Sequence, residues 1–426
     1  MRHNSFARPR IVRASAMLVA GLVAGVGSIA GSSTASAVDF YTPPARVSPA
    51  ASEPGVLVRT QPISVMLQIP GIPHQWPGSA TRVMYMTSYQ DKEPVAATGV
   101  VIEPTLPWRG RGPRPTVVIG PGTVGQGDQC ATSKNMGGPI AIDPGKRSVA
   151  LNYTAPEMFL FLNNGVRVAI ADYVGIGTPG MHTYLNRAEQ GYAMIDAARA
   201  ALKLASAPGD SPIAFSGYSQ GGGAAAAAAE LAEDYAPELD VRATYAGAPT
   251  ADLISVINRF DGTRNAGYIG YVLNGLTVRY PEVRPILDRE LNPAGKAMLG
   301  AVANQCAADT GAGFGLRRSN QWTRSGESIG QLVLRTPELL KAFDDQRIGK
   351  GKPNAPVLLE AAPADDIVPY GQVRRLYGEW RGKGVAVAMM NDGTPPLFPG
   401  TGSTHILAML PNLLPAASYL MSALSD

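Results

Sequence analysis

A short apolar run, Ile213-Ala214-Phe215, leads into Gly217-Tyr218-Ser219-Gln220-Gly221 and straight on to six consecutive alanines, 224–229. Few structures accommodate such a passage: a buried strand, a sharp turn, and a helix that doubles back. Small residues are needed where the chain reverses so tightly, and a serine in a strained turn stands with Oγ clear of the backbone. The N–H of Gln220 and the positive end of the following helix then point at the same spot. Ser219 is the candidate nucleophile. Glycine is frequent, at 48 of 426 residues, so Gly-x-Ser-x-Gly alone is a weak signal, and it recurs at Gly326-Glu327-Ser328-Ile329-Gly330. Residues 319–325, ahead of Ser328, are polar and make no buried strand, which separates the two.

Residues 1–37 read as a secretory leader. Arg2, Arg8, Arg10 and Arg13 form a basic region without acids, 14–30 are small and apolar, and Ala35-Ser36-Ala37 is a cleavage pattern. The apolar run is short and weakly hydrophobic for an anchor, and no later stretch reads as long and apolar enough to span a bilayer. An extracellular or cell-envelope location follows. The leader's four arginines equal the whole formal net charge of +4. The mature chain is therefore neutral and lacks the basic cluster that a nucleic-acid partner would require. In an oxidising compartment the two cysteines, Cys130 and Cys306, most simply form one disulfide, with two free thiols as the alternative. Two cysteines and few histidines argue against a zinc site.

The remaining ~390 residues suit one large domain with an insertion, or two domains. Residues 38–60 are rich in Pro, Ala and Ser and are expected on the surface. Strands are expected at 63–69, 82–89 and 97–102, and the absence of a long helix between them predicts an antiparallel start to a sheet. From residue 115 strands and helices alternate: strand 116–119, helix 149–162, strand 166–171, helix 188–204, strand 213–216, helix 221–231, strand 241–245. The pattern resumes with strand 357–361, helix 371–381, strand 385–390 and a final helix, 406–424, interrupted by prolines. Such alternation predicts an α/β fold with a mainly parallel sheet covered on both faces. Between lie helices at 253–259, 266–276, 293–303 and 329–343 without a convincing strand. The expected division is leader 1–37, core 38–250, helical cap 251–350 and core 351–426, with a Cys130–Cys306 bridge tethering the cap to the loop after residue 119.

A serine nucleophile needs a base, and the base needs an orienting carboxylate. The histidines are His3, His74, His182 and His405. In chains built on this kind of turn the acid and then the histidine follow the serine, and only His405 does so. It is expected in a loop between the last strand and the last helix. The acid is expected after strand 357–361, at Ala364-Asp365-Asp366-Ile367-Val368-Pro369. Asp365 is preferred, with Asp366 facing out as a surface charge and Asp392 a weaker rival. His74 and His182 are assigned structural or cleft roles. Backbone N–H groups of Gln220 and of Thr123, in the loop 120–127, are the candidate oxyanion donors. That loop and 175–180 both match G-x-G-x-x-G, but each holds a proline and neither runs directly into a helix, which argues against a dinucleotide. No cofactor or metal is called for.

These motifs converge on a resemblance. Gly122-Thr123-Val124-Gly125 with Asp128-Gln129-Cys130-Ala131, Ala171-Asp172-Tyr173-Val174-Gly175-Ile176-Gly177-Thr178-Pro179-Gly180, Ala246-Gly247-Ala248-Pro249-Thr250-Ala251-Asp252-Leu253 and residues 365–370 together resemble the secretory lipases, fungal lipase A-like and with actinobacterial members. The resemblance implies an α/β-hydrolase fold with an inserted helical cap and hydrolysis of acylglycerol or simpler carboxylic esters at a lipid–water interface. It also implies Ser219, Asp365 and His405 as nucleophile, acid and base, and supports a Cys130–Cys306 bridge. Relatives often carry His where this chain has Pro121. Two rival readings use the same fold: a cell-envelope acyltransferase with the same triad, and a non-catalytic surface-binding protein.

Overall fold

The computed structural model describes residues 39–45, 48, 51–65 and 76–425. The expected leader, His3 and His74 lie outside the described residues. Eleven strands run in chain order as β1 (Leu57–Ile63), β2 (Gly78–Ser88), β3 (Pro94–Pro104), β4 (Thr116–Gly120), β5 (Ile140–Asp143), β6 (Ser148–Leu151), β7 (Arg167–Ala171), β8 (Ile213–Tyr218), β9 (Val241–Gly247), β10 (Val357–Ala361) and β11 (Val387–Asn391). Nine of them form one sheet in the order β1-β2-β3-β7-β4-β8-β9-β10-β11, while β5 and β6 pair separately. The β1-β2-β3-β7 side is antiparallel, and from β7 to β11 every pairing is parallel. This is an α/β-hydrolase-like fold, with the antiparallel start that the sequence predicts.

Side-chain alternation along the central strands decides what covers each face. Val118 and Phe215 pack among residues of α2 (Arg187–Leu204) and α3 (Gln220–Tyr235). Val117, Ile119 and Ala214 point the other way, toward α1 (Ala155–Leu162) and α12 (Ser403–Ser425). Helix α11 (Tyr370–Gly382) packs beside α3 over Val357 and Leu359. The alanines of α3 are all buried, and their small size lets α2 and α3 approach closely beneath the elbow. Because β4, β8, β9 and β10 are parallel, their C-terminal ends open on one edge, bringing Gly120, Ser219, Gly247 and the loop after Ala361 together.

Between β9 and β10 the described chain is helical: α4 (Leu253–Phe260), α5 (Tyr268–Arg279), α6 (Val283–Glu290), α7 (Pro293–Val302), α8 (Ala307–Phe314), α9 (Ile329–Arg335) and α10 (Pro337–Asp345). They share an apolar core built on Ile257, Tyr271, Leu287, Met298, Leu332 and Phe343. Cys130 and Cys306 are disulfide-bonded, joining this helical insertion to the loop after β4.

Several expectations need correction. The first described strand is Leu57–Ile63, so it begins inside the stretch 38–60 expected only to lie on the surface, while residues 66–69 of the expected strand 63–69 lie outside the described residues. Among the described residues it pairs only with β2, and an edge position tolerates its Pro62. Residues 149–162 are not one helix. Residues 148–151 pair with β5, Asp309 of α8 accepts from Ser148 Oγ (2.5 Å) and Val149 N (3.1 Å), and α1 begins with Pro156 in its first turn. The expected helix 329–343 is two, divided at Thr336-Pro337 because a residue before proline leaves the helical region. The last helix is not interrupted. Pro411 and Pro415 lie on its exposed face, where water can satisfy the carbonyls they leave unpaired. Helix α12 is also long and apolar enough to cross a membrane, contrary to the reading that no late stretch is. One of its faces, including Ala408, Asn412, Ala416 and Leu420, is buried against the protein.

Candidate active site

Ser219 follows β8 and N-caps α3 with φ +63° and ψ −122°. Left-handed backbone of this kind is strained for any residue with a β-carbon. The turn closes because the motif's glycines lack one: a β-carbon on Gly217 would overlap the Gly221 carbonyl, and one on Gly221 the Gly120 carbonyl. Ser219 N–H donates to Gly247 O (2.9 Å), and Gly223 N–H donates to Ser219 O (2.9 Å). The backbone is thus fixed from both sides. Ser219 as a whole is 8 % exposed.

Asp365 and His405 are brought together: His405 Nδ1 lies 2.7 Å from Asp365 Oδ2. Both residues are buried. The other carboxylate oxygen of Asp365 accepts from the N–H groups of Ile367 and Val368, each at 2.8 Å. An ionised Asp365 is therefore satisfied on both oxygens and draws the histidine proton to Nδ1, leaving Nε2 as a free base. Tyr218, next to the serine, donates its hydroxyl to the His405 carbonyl (2.7 Å), and the two rings lie 4.8 Å apart. Among the described residues no hydrogen bond joins Ser219 Oγ to His405. Such contacts are often long before substrate is bound.

His405 is not in a loop but in the first turn of α12. Its backbone N–H, which has no acceptor within the helix, donates to Asp366 Oδ1 at 3.1 Å, and Gly402 N–H donates to Asp366 Oδ2 at 2.8 Å. Asp366 is buried, not the surface charge expected. It caps α12 and so sets the height of the histidine. Asp392 accepts from Thr394 N (2.7 Å) and Asn412 Nδ2 (2.8 Å), away from the imidazole. Ser328 N-caps α9, its Oγ accepting from Gln331 N at 3.2 Å, a structural use of the second Gly-x-Ser-x-Gly.

Gln220 opens α3, where the first N–H groups have no intrahelical acceptor. Thr123 lies in the loop after β4, its hydroxyl 2.7 Å from that of Tyr184. Pro121, in the same loop, accepts from the Tyr173 hydroxyl at 2.7 Å. The loop is held from the far side by the helical insertion: Ala307 N–H donates to Val124 O at 2.8 Å and Gln126 N–H to Gln305 O at 3.0 Å.

The model of the secretory lipase family matches residues 148–410, more than half of the chain. The chain belongs to the secretory lipase family. It is thus a member of a lipase family of carboxylic ester hydrolases. A secreted triacylglycerol lipase of Malassezia globosa is 25% identical over 382 residues, covering 88% of this chain and 79% of that one. A protein of Mycobacterium tuberculosis described as a probable inactive lipase is 27% identical over 393 residues, covering 87% of this chain and 78% of its own. Among solved structures, Candida antarctica lipase A superposes with a TM-score of 0.76 at 21% identity, covering 90% of this chain and 85% of that one. The rice cell wall degrading esterase LipA from Xanthomonas oryzae gives 0.67 at 19%, covering 85% and 97%. These likenesses establish the fold.

Some residues around this family member's site carry no signal in the sequence. Asp366 reads as a surface charge until the helix it caps is placed. Glu360, beneath the pair, is wholly buried. It accepts from the Tyr245 hydroxyl (3.1 Å) and Asn412 Nδ2 (3.3 Å), and burial pushes its carboxyl up to about 8. Only its place inside an apolar strand hints at burial.

Proposed function

We propose that the chain is a secreted serine hydrolase cleaving carboxylic esters of the acylglycerol class through Ser219, His405 and Asp365. The observation that carries this is the buried Asp365–His405 pair, set beside a strained serine whose neighbour Tyr218 contacts the histidine. Ser219 Oγ attacks the ester carbonyl carbon while His405 Nε2 takes its proton. Asp365 holds the imidazolium that forms. The N–H groups of Gln220 and Thr123 receive the oxyanion. Collapse breaks the bond to the alcohol, which takes the proton from His405, and water then releases the acid by the same steps in reverse.

The lipid character of the substrate is supported by the surroundings of His405. Residues 393–425 contain no Asp, Glu, Lys or Arg. Within that span Phe398 is 75% exposed, and Ile406, Leu407, Leu410 and Leu414 lie open on α12. An apolar, uncharged border suits an aggregated ester better than a small soluble one. The helical insertion 251–350 is placed in this reading as a cap over the strand ends.

A second reading, a binding protein without catalysis, draws on the relative described as a probable inactive lipase. Labelling with a fluorophosphonate separates the two, combined with rates on a ladder of acyl esters below and above their solubility. Ser219-dependent labelling with a long-chain optimum supports the lipase. Absence of labelling together with absence of turnover supports the binding protein.

A further inference from the structure

We propose that His182 and Tyr184 are positioning residues that hold the two oxyanion donors, Gln220 and Thr123, from one short segment seated on helix α5. The inference rests on the reading of Ser219 as nucleophile and adds residues that reading does not use.

The two donors belong to different elements, the first turn of α3 and the glycine-rich loop after β4. Their separation must be fixed by something that touches both, and residues 182–184 do so. The His182 ring lies on Gln220, with Nε2 3.2 Å from the side-chain Nε2 of that residue. Two residues on, the Tyr184 hydroxyl is 2.7 Å from Thr123 Oγ1. Between them Thr183 turns to the opposite side and donates to Glu189 Oε2 at 2.5 Å, anchoring the segment to α2.

The chemistry of His182 is determined by its partners. Its Nδ1 lies 2.9 Å from the Val174 carbonyl, which can only accept. Nδ1 therefore carries the proton, and Nε2 of the neutral ring must accept, from the Gln220 amide. Burial pushes the His182 pKa down to about 4, so the ring stays neutral and this arrangement persists near neutral pH. The ring also stacks on Tyr173, whose hydroxyl holds Pro121 O in the oxyanion loop. Gln220 is itself buried. Without the histidine its amide would be left unpaired, and it would turn toward the nearest acceptor, including an oxyanion or its leaving group in front of its own N–H.

The segment also rests on the helical insertion. Gln126 Nε2 donates to His182 O (2.9 Å) and to Tyr271 O (3.1 Å) of α5, and Asn274 Nδ2 donates to Gln126 Oε1 (3.0 Å). A β-carbon on Gly275 would come within 3.0 Å of Tyr184 N. The position of α5 is thereby transmitted to both donors through rigid, buried contacts.

The test uses the full-length mature protein, a soluble short-chain p-nitrophenyl ester and a fluorophosphonate. His182→Phe, Tyr184→Phe, Gln220→Leu and the His182→Phe/Gln220→Leu double variant are compared for kcat, KM, labelling rate and Tm. Loss of a direct donor lowers kcat by roughly 100-fold or more; loosening one is expected to lower kcat and labelling about tenfold with KM near its original value. If His182 acts through Gln220, the double variant is no slower than the slower single. Gln220→Leu keeps the backbone N–H and carries the test alone if His182→Phe does not fold. Unchanged kcat in Gln220→Leu, losses that multiply in the double variant, or rates that follow Tm overturn the proposal while leaving the nucleophile in place. A wild-type protein that is neither labelled nor active overturns both readings.

Discussion

His405 meets two adjacent carboxylates at once: its Nδ1 lies 2.7 Å from Asp365 Oδ2, and its backbone N–H 3.1 Å from Asp366 Oδ1. The first contact is to the ring and, in the proposed reaction, bears on chemistry; the second is to the helix end and bears on stability. Asp365→Asn is expected to lower kcat by about ten-thousand-fold, because an amide no longer enforces the Nδ1–H tautomer, with little change in Tm. Asp366→Ala leaves the His405 N–H in the helix and the Gly402 N–H just before it unpaired and is expected to cost about 1–2 kcal/mol of stability with a far smaller loss of kcat. Kinetics and thermal unfolding of the two variants check the assignment, and exchanged phenotypes would reverse it.

The backbone of Ser219 makes a second prediction, since it sits at φ +63° and ψ −122°. Ser219→Gly relieves that strain and is expected to raise stability by about 1 kcal/mol while abolishing turnover. Ser219→Ala abolishes turnover too but retains the β-carbon and the strain. Urea unfolding of both isolates the backbone contribution from loss of the hydroxyl. Equal stabilities would mean that the turn holds no strain of this size.

The elbow was legible because its signals are local: glycines where the chain closes on its neighbours, and alanines where a helix must lie flat on the sheet. The order of Ser219, Asp365 and His405 could be read because each follows a strand of the parallel half; the structure brings Asp365 and His405 to 2.7 Å, and the catalytic use of the three is proposed. What escaped depends on partners distant in sequence. Helix α8 holds Gly311 and Gly313, has poor helix propensity, and forms around Asp309, whose carboxylate meets Cys306 N at 3.1 Å and Val149 N at 3.1 Å. The same carboxylate fixes Ser148 in a strand where residues 149–162 alone suggest helix. Asp366 and Asp365 share one chemistry, and only the placement of α12 shows that Asp366 is a buried cap rather than a surface charge. His182 is a solitary histidine in sequence until Val174 and Gln220 define its two nitrogens.

The Cys130–Cys306 bridge closes a separation of 176 residues and joins the insertion to the loop that carries Thr123. The Cys130→Ser/Cys306→Ser variant is expected to lose on the order of 5 kcal/mol by the loop-entropy model. Calorimetry reads this as a lower Tm, and mild reduction of the wild type should reproduce it. Because Val124 O and Gln126 N are bonded to the same insertion, kcat should fall with the bridge even at temperatures where the variant is folded. A variant with unchanged Tm and kcat would show that these backbone contacts alone hold the loop.

Glu360 contributes to the loss of stability on the alkaline side. It is enclosed by Tyr245 of β9 and Asn412 of α12, with Asp392 and Asp365 nearby. Burial, reinforced by those two charges, pushes its carboxyl from an ordinary 4.5 up to about 8. Between these values the unfolded chain has released the proton and the folded chain has kept it. Stability therefore falls as pH rises through that window, by up to about 1.4 kcal/mol per unit. His182 acts with the opposite sign at lower pH: its pKa drops from 6.5 to about 4 on folding, so stability is lost as pH falls through that interval. Glu157, pushed up to about 7 by burial, adds to the alkaline loss but is common to wild type and variant. Glu360→Gln replaces a protonated acid with a neutral group of the same shape. It is expected to match the wild type near pH 4.5 and to exceed it in Tm by several degrees at pH 8. Thermal unfolding across pH 4.5–9 checks this, and parallel curves for the two proteins would mean that Glu360 ionises in the fold as readily as in the unfolded chain.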